Sequence, residues 1–260
     1  MTRQTALITG ASGGIGYELA GQFAQGGYDL VLVARSVEGL KHAADGLRER
    51  WNTAVHIAPF DLALPGAADE LFQHTQRNGL TVDVLVNNAG FGTHGFFHEI
   101  DLKETLDLLN LNVTALTQLT RLYLNGMVER NRGGVLNVAS TAAFQPGPFM
   151  AAYYASKAYV LSFTEAVAEE LSGTRVTVSV LCPGPTGTEF QRRAGITGTV
   201  IGAKGLLMMS AERVARVAYR QFRKGKRVII PGLANKSGAV VAPRVPRALV
   251  LPIIKRLQKR

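Results

Sequence analysis

The chain has a single cysteine, Cys182, so no disulfide can form within it, and a reducing cytoplasm is the compartment this usage fits. Cys182 closes the apolar run VTVSVLC just before Pro183, a setting for a buried small hydrophobe rather than a reactive thiol. Long apolar runs are missing too: nothing approaches the roughly twenty consecutive apolar residues of a membrane span. The amino end, MTRQTALITG, passes straight into a strand-like run, without the apolar region or cleavage site of a signal peptide. Acidic residues are absent from Asn235 to Arg260, where seven basic ones (Lys236, Arg244, Arg247, Lys255, Arg256, Lys259 and Arg260) carry most of the formal charge of +10. The rest of the chain holds only +3, and no aromatic-studded basic face recommends nucleic acid as a partner. Low-complexity tracts and internal repeats are also lacking.

What is present fits one large α/β domain over residues 1–260, with nearly half of the residues apolar. Short β-rich runs alternate with helical patterns, the signature of βαβ units and a parallel sheet. Strands are expected at Thr5 to Thr9, Asp29 to Ala34, Ala54 to Ala58, Val82 to Val86, Gly134 to Ser140, Val176 to Leu181 and Arg227 to Pro231. Right-handed crossovers would wind about seven strands into a Rossmann-like sheet with helices on both faces and a ligand site at the carboxyl ends of the strands. Two stretches break the alternation: a glycine-rich segment at about 184–210, read as a substrate lid, and the basic extension at about 232–260.

Tyr153 and Lys157 lie four residues apart in AAYYASKAY, with Ser140 upstream. At that spacing a helix carries both on one face, so a phenol and an ammonium can converge. A nearby cation favours phenolate, which would lower the tyrosine pKa and suit it to acid–base work on a carbonyl or alcohol oxygen. Ser140 would give that oxygen a second hydrogen bond. At the amino end, in TGASGGIG, Gly10, Gly14 and Gly16 permit a tight turn, close approach of a pyrophosphate and close packing of helix on strand; Ser12, Gly13 and Ile15 complete the loop. The second strand ends in Ala34, Arg35 and Ser36, a cation where NAD-binding chains place a carboxylate, so NADP(H) is favoured over NAD(H). Asp61 and Leu62 follow the third strand, placed for the adenine. After the fourth, NNAG offers two adjacent amides, Asn87 and Asn88, that could bond backbone across neighbouring strands, with Ala89 and Gly90 leaving room for adenosine.

In this order, TGASGGIG, Asp61, NNAG, Asn112, Ser140, Tyr153-x-x-x-Lys157 and Pro183-Gly184 resemble the classical short-chain dehydrogenase/reductase family over about residues 5 to 190. The resemblance implies that Ser140 orients the substrate oxygen and Tyr153 is the acid or base. Lys157 would lower the Tyr153 pKa and hold the nicotinamide ribose, and Asn112 would hold a water in a proton relay. Pro183, Gly184, Thr186 and Thr188 would shape the nicotinamide and pyrophosphate side. Tyr154 also lies near Lys157 in sequence, and the family spacing selects Tyr153. The VLVARS ending and basic extension look most like bacterial oxidoreductases related to 3-ketoacyl and 17β-hydroxysteroid reductases. The family commonly forms dimers or tetramers through the helices carrying Asn112 and Tyr153.

The expected activity is hydride transfer between nicotinamide and a carbonyl or secondary alcohol of a hydrophobic ketone, 3-ketoacyl or steroid-like substrate. The alternative is a dinucleotide-sensing protein without turnover, against which the complete tetrad argues. His94 and His98 are four apart, but Gly92 and Gly95 argue against a helix there and no third ligand is evident, so no metal is expected. Arg192, Arg193 and Lys204, beside Ile196, Val200, Ile201 and the run Leu206 to Met209, make an apolar lid with basic spots, fitting a ketone with an anionic carrier. In PRALVLPIIKRLQKR, Leu249, Ile253 and Leu257 sit among basic residues as on a membrane-surface helix, but Pro252 weakens a continuous helix. Packing against the lid or a second subunit is the favoured use of that end.

Overall fold

The computed structural model describes residues 3–196, 199 and 208–259. Among these residues nine strands form: β1 (Thr5–Thr9), β2 (Asp29–Ala34), β3 (Val55–Pro59), β4 (Val82–Asn87), β5 (Gly133–Val138), β6 (Val176–Leu181), β7 (Thr186–Gly187), β8 (Met209–Ser210) and β9 (Val228–Ile229). The helices are α1 (Gly14–Gln25), α2 (Val37–Trp51), α3 (Ala67–Arg77), α4 (Leu102–Leu109), α5 (Leu116–Glu129), α6 (Ala151–Glu170), α7 (Phe190–Arg193), α8 (Ala211–Phe222), α9 (Leu233–Val241) and α10 (Arg247–Gln258).

Seven strands form one parallel sheet in the order β3-β2-β1-β4-β5-β6-β9, so the winding reverses between β1 and β4. Strand residues alternate between faces, and both faces are covered, which is why these strands read as unbroken apolar runs. Ala6, Ile8, Leu30 and Leu32 face Leu19 and Phe23 of α1, Leu47 of α2 and Phe222 of α8. Leu7, Val31, Leu85 and Val135 face Leu71 of α3 and Leu119 and Met127 of α5 on the other side. On this second layer α4 runs into α5 through a π-helical turn at Asn110–Ala115, a widened turn of the kind that collects at functional sites.

The departures from expectation have local causes. The fifth strand stops at Val138 because Ser140 leaves the sheet to accept a hydrogen bond from Ala142 N (3.1 Å), capping a 3-10 turn at Thr141–Phe144. The last strand shortens to two paired residues, held by Val180 N to Arg227 O and Cys182 N to Ile229 O, both 2.8 Å. The glycine-rich segment expected to be a lid is clamped at its base, where β7 pairs with β8; Gly198, Val200, Ile201, Gly202, Lys204, Gly205, Leu206 and Leu207 fall outside the described residues. Arg192, read as a basic spot of the lid, pairs with Glu189 at 2.6 Å. Pro252 does not break the carboxyl helix: α10 continues through it. Proline there removes one backbone bond in mid-helix, and the docked face described below offsets that loss. No helix among the described residues is long and apolar enough to cross a membrane.

Candidate active site

The β1–α1 turn is a cradle built from close approaches. Gly10 and Gly14 have φ of 66° and 57°, the left-handed region that a side chain would strain. A Cβ on Gly16 would stand 2.3 Å from Gly10 O and 2.5 Å from Asn88 Nδ2, so only glycine lets α1 start this close to the strand. No side chain caps the α1 amino end and no acid lies in its first turn, leaving N–H groups for an anion. Across the cleft Thr188 packs on Gly14, with Cγ2 3.2 Å from a Cβ there, so the two ends of the expected cofactor set meet. Ser12 is exposed on the rim, Ile15 packs on the core beneath, and Leu62 and Pro183 are buried.

NNAG works as a strap. Asn88 Nδ2 donates to Thr9 O at 2.9 Å, and Thr9 Oγ1 accepts from the N–H groups of Asn88 (3.0 Å) and Ala89 (2.9 Å), tying β4 to β1 at the switch point. Asn87 turns into the sheet layer and donates to Thr120 Oγ1 (3.0 Å) and Asn137 Oδ1 (2.9 Å), while Asn137 reaches Thr164 Oγ1 at 3.0 Å. Gly90, expected to leave room for adenosine, also makes room for Asn112 and Lys157: a Cβ there would lie 2.9 Å from Asn112 Oδ1 and 3.3 Å from Lys157 Nζ.

At the adenosine end, Arg35 Nη1 stands 3.8 Å from Asp61 Oδ2, bringing together two residues far apart in sequence. The Arg35 side chain is 73% exposed, so the pair is weak and the guanidinium can be taken by a stronger anion. Asp61 Oδ1 accepts from Ala63 N at 3.1 Å, and Ser36 caps α2 by accepting from Gly39 N at 3.0 Å.

Tyr153, Ser140, Lys157 and Asn112 converge at the ends of β5 and β4. Ser140 hydrogen-bonds the Tyr153 phenol, which favours the phenolate, but burial outweighs this and pushes the phenol well above its ordinary range. Burial also lowers Lys157 from 10.5 to about 8, and its Nζ donates to Val138 O at 2.9 Å. Desolvation, more than the neighbouring lysine, thus sets the Tyr153 phenol in this fold. Tyr154 points elsewhere, accepting from Gln258 Nε2 at 2.8 Å, so of the two tyrosines only Tyr153 meets Ser140. Asn112, inside the π turn, clamps Phe91 through its Oδ1 (from Phe91 N, 3.2 Å) and Nδ2 (to Phe91 O, 3.0 Å), and also donates to Ser156 Oγ at 3.1 Å. Around Tyr153 the surface is apolar: Leu108, Ala142, Met150, Ala194 and Ile196 are buried with it, and Phe91 and Phe190 close the cluster.

The chain matches the family described as short chain dehydrogenase over residues 4–197. It belongs to the short-chain dehydrogenase family. It is 38% identical over 184 residues to a ketoacyl reductase, HetN, of a Nostoc species (71% of this chain, 64% of that protein) and 35% identical over 182 residues to a very-long-chain 3-oxoacyl-CoA reductase of Rattus norvegicus (68% and 58%). These matches span less than two thirds of either relative's own length. Among solved structures, a short-chain dehydrogenase from Sphingobium yanoikuyae in complex with NADPH superposes with a TM-score of 0.83 at 32% identity, covering 95% of both chains.

Several contacts that shape this short-chain dehydrogenase were not legible beforehand. Thr9 ends the first strand like any β-former, and only its partners show that its hydroxyl organises NNAG. Gly184 is small because Asn235 of α9 fills its space, with Oδ1 2.3 Å from where a Cβ would stand. His94 does not pair with His98. One of its ring nitrogens lies 2.8 Å from Gln258 O, and its ring packs beside Phe149, which has φ of 66° and is held by Gly95 N donating to its carbonyl at 2.9 Å. No group of three or more His, Cys, Asp or Glu that could hold a metal occurs among the described residues. α10 therefore latches onto the rim of the site through His94, Tyr154 and Met150, which lies 3.5 Å from Gln258 Nε2 at its sulfur.

Proposed function

We propose that the protein is an NADP(H)-dependent reductase of hydrophobic ketones, with 3-ketoacyl and steroid-like ketones as the substrate class. The observation that carries this is the Tyr153 phenol, hydrogen-bonded to Ser140 and enclosed by apolar side chains. A dinucleotide fits the chain on its own geometry, since the uncapped α1 start, the glycine cradle and the Arg35 guanidinium form one track from pyrophosphate to adenosine phosphate. Bound there, the cofactor supplies the hydride. Ser140 and Tyr153 give the substrate oxygen two hydrogen-bond donors, and Tyr153 delivers the proton that oxygen needs as it becomes a hydroxyl. Lys157, at about 8, sits close enough to neutrality to exchange protons at working pH. The apolar cluster excludes water and favours an apolar acyl chain or ring system over a small polar ketone. The names of the two reductase relatives point to the same class.

The test is oxidation of NADPH and NADH against a panel of hydrophobic ketones, 3-ketoacyl thioesters and ketosteroids. Turnover with NADPH should fall by about 10²–10⁴-fold in Tyr153→Phe while cofactor binding persists. Full activity in that variant would remove Tyr153 as the acid. Arg35→Ala should narrow the preference for NADPH over NADH, and a native enzyme that prefers NADH refutes the cofactor assignment alone.

Self-association is part of the same reading. Leu102 (69%) and Leu106 (49%), one turn apart on α4, and Tyr159 (39%) on α6 are exposed, offering the helices beside the site as a homodimer or homotetramer face. A cytoplasmic location suits a chain whose one cysteine can form no disulfide within it. Sedimentation velocity of the native chain and Leu106→Glu reads the first point.

A further inference from the structure

We infer that α9 and α10 form a docking surface for an anionic lipid bilayer. Each helix has one face on the protein and an apolar face turned away from it. On α10, Val250, Ile254 and Gln258 recur every four residues and are buried, whereas Leu249 and Ile253, one turn apart, are 60% and 58% exposed. On α9, Ala239 is buried and Asn235 packs on Gly184, whereas Leu233 is 85% exposed and Val240 and Val241 stand 47% and 55% exposed. Two consecutive helices that leave this many large apolar side chains in water need a partner.

The charge identifies the partner. Glu212 is the last acidic residue in the chain. Lys236, Arg244, Arg247, Lys255, Arg256 and Lys259 are all exposed, and none forms an ion pair among the described residues. A second copy would bring the same unbalanced charge to the contact and be repelled, whereas an anionic headgroup layer neutralises it while the acyl region takes the leucines and isoleucine. Long basic side chains suit this geometry, laying their stems along the apolar face with their charges in the headgroups. The carboxyl end of the helix is tied to the site, because Gln258 holds Tyr154 at 2.8 Å and His94 contacts its carbonyl at 2.8 Å. The surface is thereby fixed to the residue beside Tyr153.

Co-sedimentation of the full chain with phosphatidylglycerol-containing vesicles and with pure phosphatidylcholine vesicles, at about 0.1 M salt, tests this. The expected result is binding to the anionic vesicles at least about tenfold tighter than to the neutral ones. Leu249→Glu with Ile253→Glu should weaken that binding by at least about tenfold, as should Lys255→Gln with Arg256→Gln at roughly fivefold per charge. Leu233→Glu with Val240→Glu makes the same test on α9 should the α10 pair fail to fold, as judged by melting. A native chain left in the supernatant, binding indifferent to vesicle charge, or binding untouched by these pairs overturns the proposal. So does an oligomer that Leu249→Glu with Ile253→Glu dissociates, since a second copy would then be the occupant.

Discussion

Replacing Lys157 by Met should change how stability depends on pH more than stability at any single pH. In the native protein burial lowers the lysine from 10.5 to about 8. Between those values the unfolded chain binds a proton at this position that the folded chain does not, so raising the pH stabilises the fold. The folded form carries the full cost of a desolvated ammonium below about pH 8 and is relieved of it by about pH 10.5. The interval corresponds to about 3 kcal/mol, at about 1.4 kcal/mol per unit. Raised phenols and the Cys182 thiol, pushed up to about 12, act in the opposite direction over the same range. The phenols cancel in the comparison; the thiol cancels only in part, because the Lys157 ammonium holds it down, and removing that charge lifts the thiol further and widens the difference. Met keeps the volume but leaves Val138 O without its donor, a loss of about 1–3 kcal/mol that does not vary with pH. Urea unfolding of both ligand-free proteins at steps from about pH 7.5 to 10.5 should therefore show the native chain gaining about 3 kcal/mol relative to Lys157→Met. A difference that stays flat would mean that the ammonium is solvated in the folded protein, and the placement of Lys157 beneath Tyr153 would be wrong.

Gly90→Ala should leave the protein folded but lower kcat/KM by about tenfold, because its methyl crowds Asn112 Oδ1 and Lys157 Nζ together; steady-state kinetics beside a thermal melt separates the two effects. Gly16→Ala meets backbone at 2.3 Å, which cannot yield as a side chain does, so it should cost about 1–3 kcal/mol and weaken NADPH binding, read by melting with and without the cofactor. Cys182 is buried with its pKa pushed up to about 12, so iodoacetamide at about pH 8 should label the urea-unfolded chain and spare the native one, as mass spectrometry would show.

The alternation of apolar runs with helical stretches determined the doubly wound sheet, because strands buried on both faces must be continuously apolar whatever surrounds them. The spacing of Tyr153 and Lys157 likewise determined their common helix face, and the glycine pattern determined where a helix could begin against a strand. These properties are local, carried by a few neighbouring residues. The balance of burial and charge was decided in space: Tyr153 and Lys157 share a helix face as expected, yet burial raises the phenol and lowers the ammonium. Contacts between distant segments were also beyond the sequence. Asn235 fills the space at Gly184, Thr9 organises NNAG, and Gln258 reaches Tyr154 across 104 positions. Nothing in the run around Gln258 marks it as buried, since an amide among leucines and lysines is neutral to the helix it sits on. Only the tertiary fold, by laying α10 over Met150 and His94, gave one face of that helix a partner and left the other turned outward.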